Sequence, residues 1–159
     1  MRAFIALELP ADFADDVAAM ARRLSASLDG RFLDRSTYHL TLAFLGDIDD
    51  AEASRAMAAL DAACAGSTPL PLAPDGLGKF GRPADATLWL GVAPDPALLS
   101  LAERVREELA ARDVPFDPKP FHPHITLGRR VHIPKKPLPL LAFPLPAQAQ
   151  TVTLFKSTL

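Results

Sequence analysis

Residues 38–46 read YHLTLAFLG, and residues 121–129 read FHPHITLGR. Both carry the element HxTL inside an otherwise apolar run, with His39 and His124 85 positions apart. In a strand, successive side chains point to opposite faces, so His39 and Thr41 share one face while Leu40, Leu42 and Phe44 take the other. The same count joins His124 to Thr126 and sets Ile125 and Leu127 behind them. Each run is expected to be a strand with an apolar back and a polar front.

The segments around these strands follow the same logic. RAFIALEL (2–9) is a short apolar run closed by Pro10 and predicts a strand near the middle of a sheet. After it, Phe13, Val17, Met20, Ala21, Leu24 and Leu28 fall at helical spacing, with Asp12 as the expected N-cap and Gly30 as the expected stop. RFLD (31–34) predicts a strand, and DDAEASRAMAALDAACAG (49–66) a helix with acidic residues at its positive end. A turn-rich STPLPLAPDG (67–76) leads to two further strands, LGKFG (77–81) and ATLWLGVA (86–93). A third helix places Leu98, Leu101, Val105 and Leu109 on one face, and TVTLFKSTL (151–159) closes the chain as a strand after a prolyl stretch, Pro134–Pro146. The mixture predicts an α+β protein whose helices cover one side of an antiparallel or mixed sheet. With no boundary between independent units, residues 1–159 are expected to form one domain.

Composition narrows the function classes. A hydrophobic fraction of 49% with 23% charged residues lies near the globular average. A net charge of −2 lacks the footprint of a protein that grips long duplex nucleic acid through many phosphates, yet allows a short anionic substrate held by local cations. Glu8 interrupts the apolar N-terminal run where a signal peptide would need continuity, and no run approaches the roughly 20 apolar residues of a membrane-spanning helix. Cys64 stands alone and on the apolar face of a helix, which fits an inert thiol in a reducing compartment. The expectation is a cytoplasmic monomer without an obligate protein partner.

Two imidazoles at one reacting centre can serve as general acid and general base, since their unperturbed pKa of about 6.5 lies near working pH. A threonine two residues on can donate its hydroxyl to a nonbridging phosphoryl oxygen as charge grows there. A single HxT in a strand is an ordinary sequence, because threonine is β-branched and strand-favouring. Two copies in similar strand contexts point to chemistry.

At these residues the sequence resembles the two-histidine phosphoesterase superfamily, and within it the bacterial and archaeal RNA 2′,3′-cyclic phosphodiesterases, once named RNA 2′-5′ ligases. MRAFIALELP, YHLTLAFLGDI, GLGKFGRPADATLWLGV and PFHPHITLGR carry the resemblance in the family's order. It implies two pseudo-symmetric lobes, each a sheet flanked by helices and each giving one HxT element to a central cleft. It also implies hydrolysis of a 2′,3′-cyclic phosphate end of RNA, or of a small cyclic nucleotide, to a 2′-phosphomonoester with no metal or other cofactor. In that scheme His39 is the proton donor, His124 the proton acceptor, and Thr41 and Thr126 hold phosphoryl oxygens. The spacing alone is symmetric and leaves the two roles interchangeable. Family members usually continue past the last strand, whereas this sequence stops at Leu159, which leaves open any contribution of a C-terminal tail to closing the cleft.

Other residues have a claim on the site. Arg129 falls on the face opposite His124 by strict alternation, so it reaches substrate only if a bulge at Gly128 turns the strand, while Arg130 is on the front by count. His122 shares the face of His124 if Pro123 leaves the strand intact, and with His132 it invites a zinc reading that lacks a nearby carboxylate or cysteine. Phe121, in the loop before the second element, is the aromatic residue expected to stack on a nucleobase. Phe44 and Trp89 read as core, and Lys79, Arg82, Lys135 and Lys136 as solvated cations. Two other activities fit the same residues: joining of RNA ends through a 2′-5′ linkage, and noncatalytic binding of RNA ends or nucleotides.

Overall fold

The computed structural model describes residues 1–157; the last two residues of the predicted closing strand lie outside that range. Strand β1 (Arg2–Glu8) buries Ala3, Ile5 and Leu7 and leads through Pro10 into helix α1 (Ala11–Ser25). Pro10, not Asp12, occupies the N-cap. Asp12 lies in the first turn, where its carboxylate still meets the positive end of the helix dipole. Phe13, Val17, Met20, Ala21, Leu24 and Leu28 are all buried, as their spacing predicted. Gly30 is not the stop: the helix has already ended at Ser25, and a Cβ on Gly30 would lie 2.8 Å from Val131 Cα. Close backbone approach, rather than helix termination, calls for glycine there.

Strand β2 (Arg31–Phe32) is short and passes through a 3-10 turn (Arg35–Thr37) into β3 (His39–Asp47). Helix α2 (Asp50–Cys64) begins with a capping box, in which Glu52 N–H donates to Asp49 Oδ1 at 2.7 Å and Asp49 N–H to Glu52 Oε1 at 3.0 Å. Then come β4 (Leu70–Leu72), β5 (Pro74–Arg82), β6 (Asp85–Val92) and helix α3 (Pro96–Ala111). The chain continues with β7 (His124–Val131), β8 (Ala147–Ala149) and β9 (Val152–Lys156). In the pair β4–β8, β4 falls within the segment that the sequence reads as turn-rich, and β8 lies between the prolyl stretch and the predicted closing strand. Pro71 fits there because a two-stranded ladder leaves one side of each strand open, where a missing N–H costs nothing.

Two larger antiparallel sheets organise the molecule, in the order β3-β1-β9 and β2-β7-β6-β5. Each contains one HxT strand beside a central strand, β3 against β1 and β7 against β6. The lobes are not consecutive halves of the chain. β9, from near its end, completes the first sheet, and β2, from its first third, edges the second. Helices α2 and α3 pack together, α2 touching β9 and α3 touching β3, and β3 also touches β7 across the two sheets. One buried cluster runs from Ala3 to Ala149, with Leu40, Leu42, Ile125 and Leu127 at most 1% exposed. The apolar backs of both HxT strands thus anchor in a shared core.

Candidate active site

The register of β3 on β1 fixes the first half of the site. Glu8 lies opposite His39, Leu7 opposite Leu40 and Ala6 opposite Thr41, but Ile5 then pairs with Ala43, so Leu42 is an extra residue. The second half repeats this: Gly91 faces His124, Leu90 faces Ile125 and Trp89 faces Thr126, and Leu88 then pairs with Gly128, so Leu127 is the extra residue. Each HxTL element therefore carries a β-bulge at its leucine, and each bulge resets the alternation that follows.

The bulges change three readings of the sequence. Phe44 is not on the apolar back. It is 52% exposed and its ring centroid lies 6.3 Å from that of Phe4, on the face of His39. Arg129 occupies the equivalent position in β7, is exposed, and its charge acts on His124. The bulge that Arg129 needed is present one residue earlier than Gly128. Arg130 adopts φ of 52° at a further slip of register and loses the front-face position that simple counting gave it.

Each imidazole rests among aromatic rings. His39 lies 4.9 Å from Phe4 and 4.9 Å, stacked, from Phe155, rings supplied by β1 and β9. His124 meets Phe80 edge-on at 5.1 Å and Trp89 at 5.8 Å, rings supplied by β5 and β6. Trp89 is therefore not an ordinary core aromatic. It lies beside His124 and His122, its Nε1–H is buried without a partner, and it covers Gly78 so closely that a Cβ there would fall 2.2 Å from its ring. Phe4, Phe80 and Phe155 escaped the sequence reading because they reach the histidines across strand pairs. In β1 the alternation Phe4, Ala6, Glu8 was the available signal.

The electrostatic surroundings of the two histidines differ. Nδ1 of His124 lies 2.6 Å from the carbonyl oxygen of His122. A carbonyl only accepts, so this nitrogen carries the proton and the lone pair of the neutral ring lies on Nε2. Burial pushes the His124 imidazole below its ordinary range. The His122 carbonyl opposes that shift, while the His122 ring and the Arg129 guanidinium add to it. Burial also lowers His39, but there the Glu8 carboxylate pulls the other way. Thr41 and Thr126 are half-buried, and each lies two residues along the front from its histidine.

The remaining candidates are dispersed. Phe121 packs against the core and lines a groove along α3 with Phe116 and Arg106, and among the described residues its ring meets neither imidazole. His132 donates its backbone N–H to Asp29, and its ring is absent from the cluster that His122 and His124 form at 5.6 Å. Among the described residues, no group of three or more His, Cys, Asp or Glu side chains is disposed to hold a metal ion. The Cys64 thiol is pushed up, chiefly by burial, which disfavours the thiolate. Lys79 donates to the carbonyl of Gly81. No helix among the described residues is long and apolar enough to cross a membrane.

Two sheets that each present a histidine and a threonine on a bulged strand define a class, and sequence comparison gives its name. Residues 9–156 match the 2′-5′ RNA ligase superfamily, and the chain belongs to that family. It is 36% identical over 129 residues to an RNA 2′,3′-cyclic phosphodiesterase of Geobacillus stearothermophilus, a match covering 80% of this chain and 41% of that protein. The chain thus spans less than half the length of that relative. It is 34% identical over 132 residues to the RNA 2′,3′-cyclic phosphodiesterase of Escherichia coli (strain K12), covering 80% of this chain and 71% of the relative. The crystal structure of E. coli LigT complexed with 3′-AMP superposes with a TM-score of 0.80 at 27% identity, over 96% of this chain and 86% of that one. These matches agree with the fold expected from the two HxT strands.

Proposed function

We propose that this protein hydrolyses 2′,3′-cyclic phosphates at RNA ends, or on small nucleotides, to 2′-phosphomonoesters by general acid and base catalysis without a metal. One observation carries the reading: the same bulged HxTL strand occurs twice, once in each sheet, and the two strands, β3 and β7, touch. The relatives' names supply the substrate class.

His124 acts as the base. With Nδ1–H held by the His122 carbonyl, Nε2 is free to take a proton from water, and burial beside Arg129 favours the neutral ring. The activated water attacks phosphorus and the bond from phosphorus to O3′ breaks. His39, as imidazolium, gives its proton to O3′, leaving a 3′-hydroxyl and a 2′-phosphate. Thr41 and Thr126 donate to the nonbridging oxygens, and Arg129 offsets the charge that grows on them. Phe121 is the weakest of the proposed binding residues, since it faces the α3 groove.

The reading treats residues 1–159 as one two-histidine phosphoesterase domain, acting as a cytoplasmic monomer. The continuous core and the lone Cys64 support it. Hydrolysis in ¹⁸O-labelled water, followed by ³¹P NMR, tests the chemistry. One label in a 2′-phosphate is the expected product, and a 3′-phosphate would overturn the assignment. If an RNA with a cyclic-phosphate end is joined to a 5′-hydroxyl RNA instead, with no label taken up, the site works as a ligase.

A further inference from the structure

The two motifs match residue for residue, but the strands opposite them do not. Across from His39 stands Glu8, and across from His124 stands Gly91. Gly91 cannot be exchanged for an acid, because a Cβ there would lie 2.7 Å from the carbonyl oxygen of Asp75. A carboxylate is thus built against one histidine and excluded from the other.

The carboxylate is also held in place. Glu8 shares its face of β1 with Phe4, whose ring lies against His39. From the next strand, β9, Thr153 Oγ1 donates to Glu8 Oε2 at 2.7 Å. Thr153 pairs with Ala6, and Phe155, two residues on, stacks on the His39 ring. Glu8, Thr153 and Phe155 therefore form one cross-strand frame around a single imidazole.

Building on the proposed cyclic phosphodiesterase chemistry, we propose that Glu8, fixed by Thr153, is a positioning residue that favours the imidazolium form of His39 over what its buried surroundings alone would allow and so biases it toward the role of acid. Glu8 touches no reacting atom and acts through the histidine. Charged or titratable groups on the elements that pack against β3 or reach its histidine are Arg2 and Glu8 of β1, Lys156 of β9, Glu103, Arg104, Arg106, Glu107 and Glu108 of α3, and His124, Arg129 and Arg130 of β7. Of these, Glu8 is the one whose charge acts on His39, opposing the effect of burial. Arg106 instead donates to the carbonyl of Leu42 behind the strand. Because Glu8 is exposed, the coupling is modest and weakens with salt.

Histidine titration by NMR on the substrate-free protein tests this, comparing wild type with Glu8→Gln and Thr153→Val. In Glu8→Gln the His39 midpoint moves to lower pH while that of His124 stays, and Thr153→Val moves His39 less in the same direction. In turnover, kcat/KM of Glu8→Gln falls roughly two- to fivefold on the alkaline side, where His39 must keep its proton, and recovers at lower pH. High salt shrinks the difference. An unmoved His39 midpoint in Glu8→Gln, or an equal movement of both histidines, overturns the proposal. A selective shift of His39 in a protein that does not cleave cyclic phosphates upholds the coupling and removes the function on which it was placed.

Discussion

Nδ1 of His124 donates to the backbone carbonyl of His122 at 2.6 Å, two residues back along the chain. Pro123 lies between them, and the residue before a proline is confined to extended conformations. That restriction keeps the His122 carbonyl aimed at the ring and leaves Nε2 as the nitrogen that the proposed mechanism uses as base. Replacing His124 with Gln, whose amide reaches toward the Nε2 position, still removes the base. Turnover in His124→Gln and in His39→Ala is expected to fall by about 10² to 10⁴ each, with melting temperatures that stay close to wild type.

The pH dependence follows from burial. In the proposed mechanism one imidazole must be neutral and the other charged, so kcat/KM is expected to rise as pH passes the His124 pKa and to fall as it passes the His39 pKa. Burial lowers both. The maximum of the bell therefore falls on the acidic side of the ordinary imidazole value of about 6.5. A profile of kcat/KM between pH 4.5 and 9 checks this, and a maximum above about pH 7.5 would contradict it.

The same shifts affect stability. A histidine with a lowered folded-state pKa binds protons more readily in the unfolded chain, so stability is present above the unfolded value and is lost as pH falls toward the folded one. The melting temperature is expected to drop from pH 7 to pH 5, and the double variant His39→Asn/His124→Asn to lose part of that slope. Thermal unfolding at a series of pH values measures it.

Arg129 and Arg130 separate by the bulge at Leu127. Arg129→Ala is expected to raise KM severalfold and, by removing a cation that lowers the His124 pKa, to move the acidic limb of the profile to higher pH. Arg130→Ala leaves that limb in place. Steady-state kinetics on the two variants distinguishes them.

Trp89 and Gly78 form a packed pair. Gly78→Ala puts a methyl group into the indole and is expected to cost about 1–3 kcal/mol. Trp89→Phe removes the unpartnered Nε1–H and is expected to leave stability unchanged or raise it, since a buried orphan donor carries a penalty of about 1–3 kcal/mol. Trp89→Leu in the Gly78→Ala background recovers part of the loss. Denaturant unfolding of the single and double variants reads the coupling.

Much of the fold and the pairing of residues at the heart of the candidate site follow from local periodicity. His39, Thr41, His124 and Thr126 need a period of two over three residues, and Leu98, Leu101, Val105 and Leu109 need one helical face. Features that depend on partner strands were beyond such counting. A bulge is defined by two residues facing one, so nothing inside HLTLAF or HITLGR announces that Phe44 and Arg129 return to the front. Trp89 looks like core in ATLWLGV because its neighbours Leu88 and Leu90 are core, and only the pairing with Thr126 brings it to His124. The asymmetry between the histidines likewise resides in Glu8 and Gly91, which meet them through register alone. The exchange of β2 and β9 between sheets is a property of topology that two copies of HxTL do not encode.

In the proposed mechanism two histidines, with no metal, cleave a cyclic phosphate. The most direct measurement incubates the purified protein with a nucleoside or RNA 2′,3′-cyclic phosphate in excess chelator, beside His39→Ala and His124→Ala. Undiminished turnover to the 2′-phosphate by wild type is expected, with loss of turnover in both variants. An inert wild type, restoration of its activity only by added divalent metal, or full activity in either variant would contradict it.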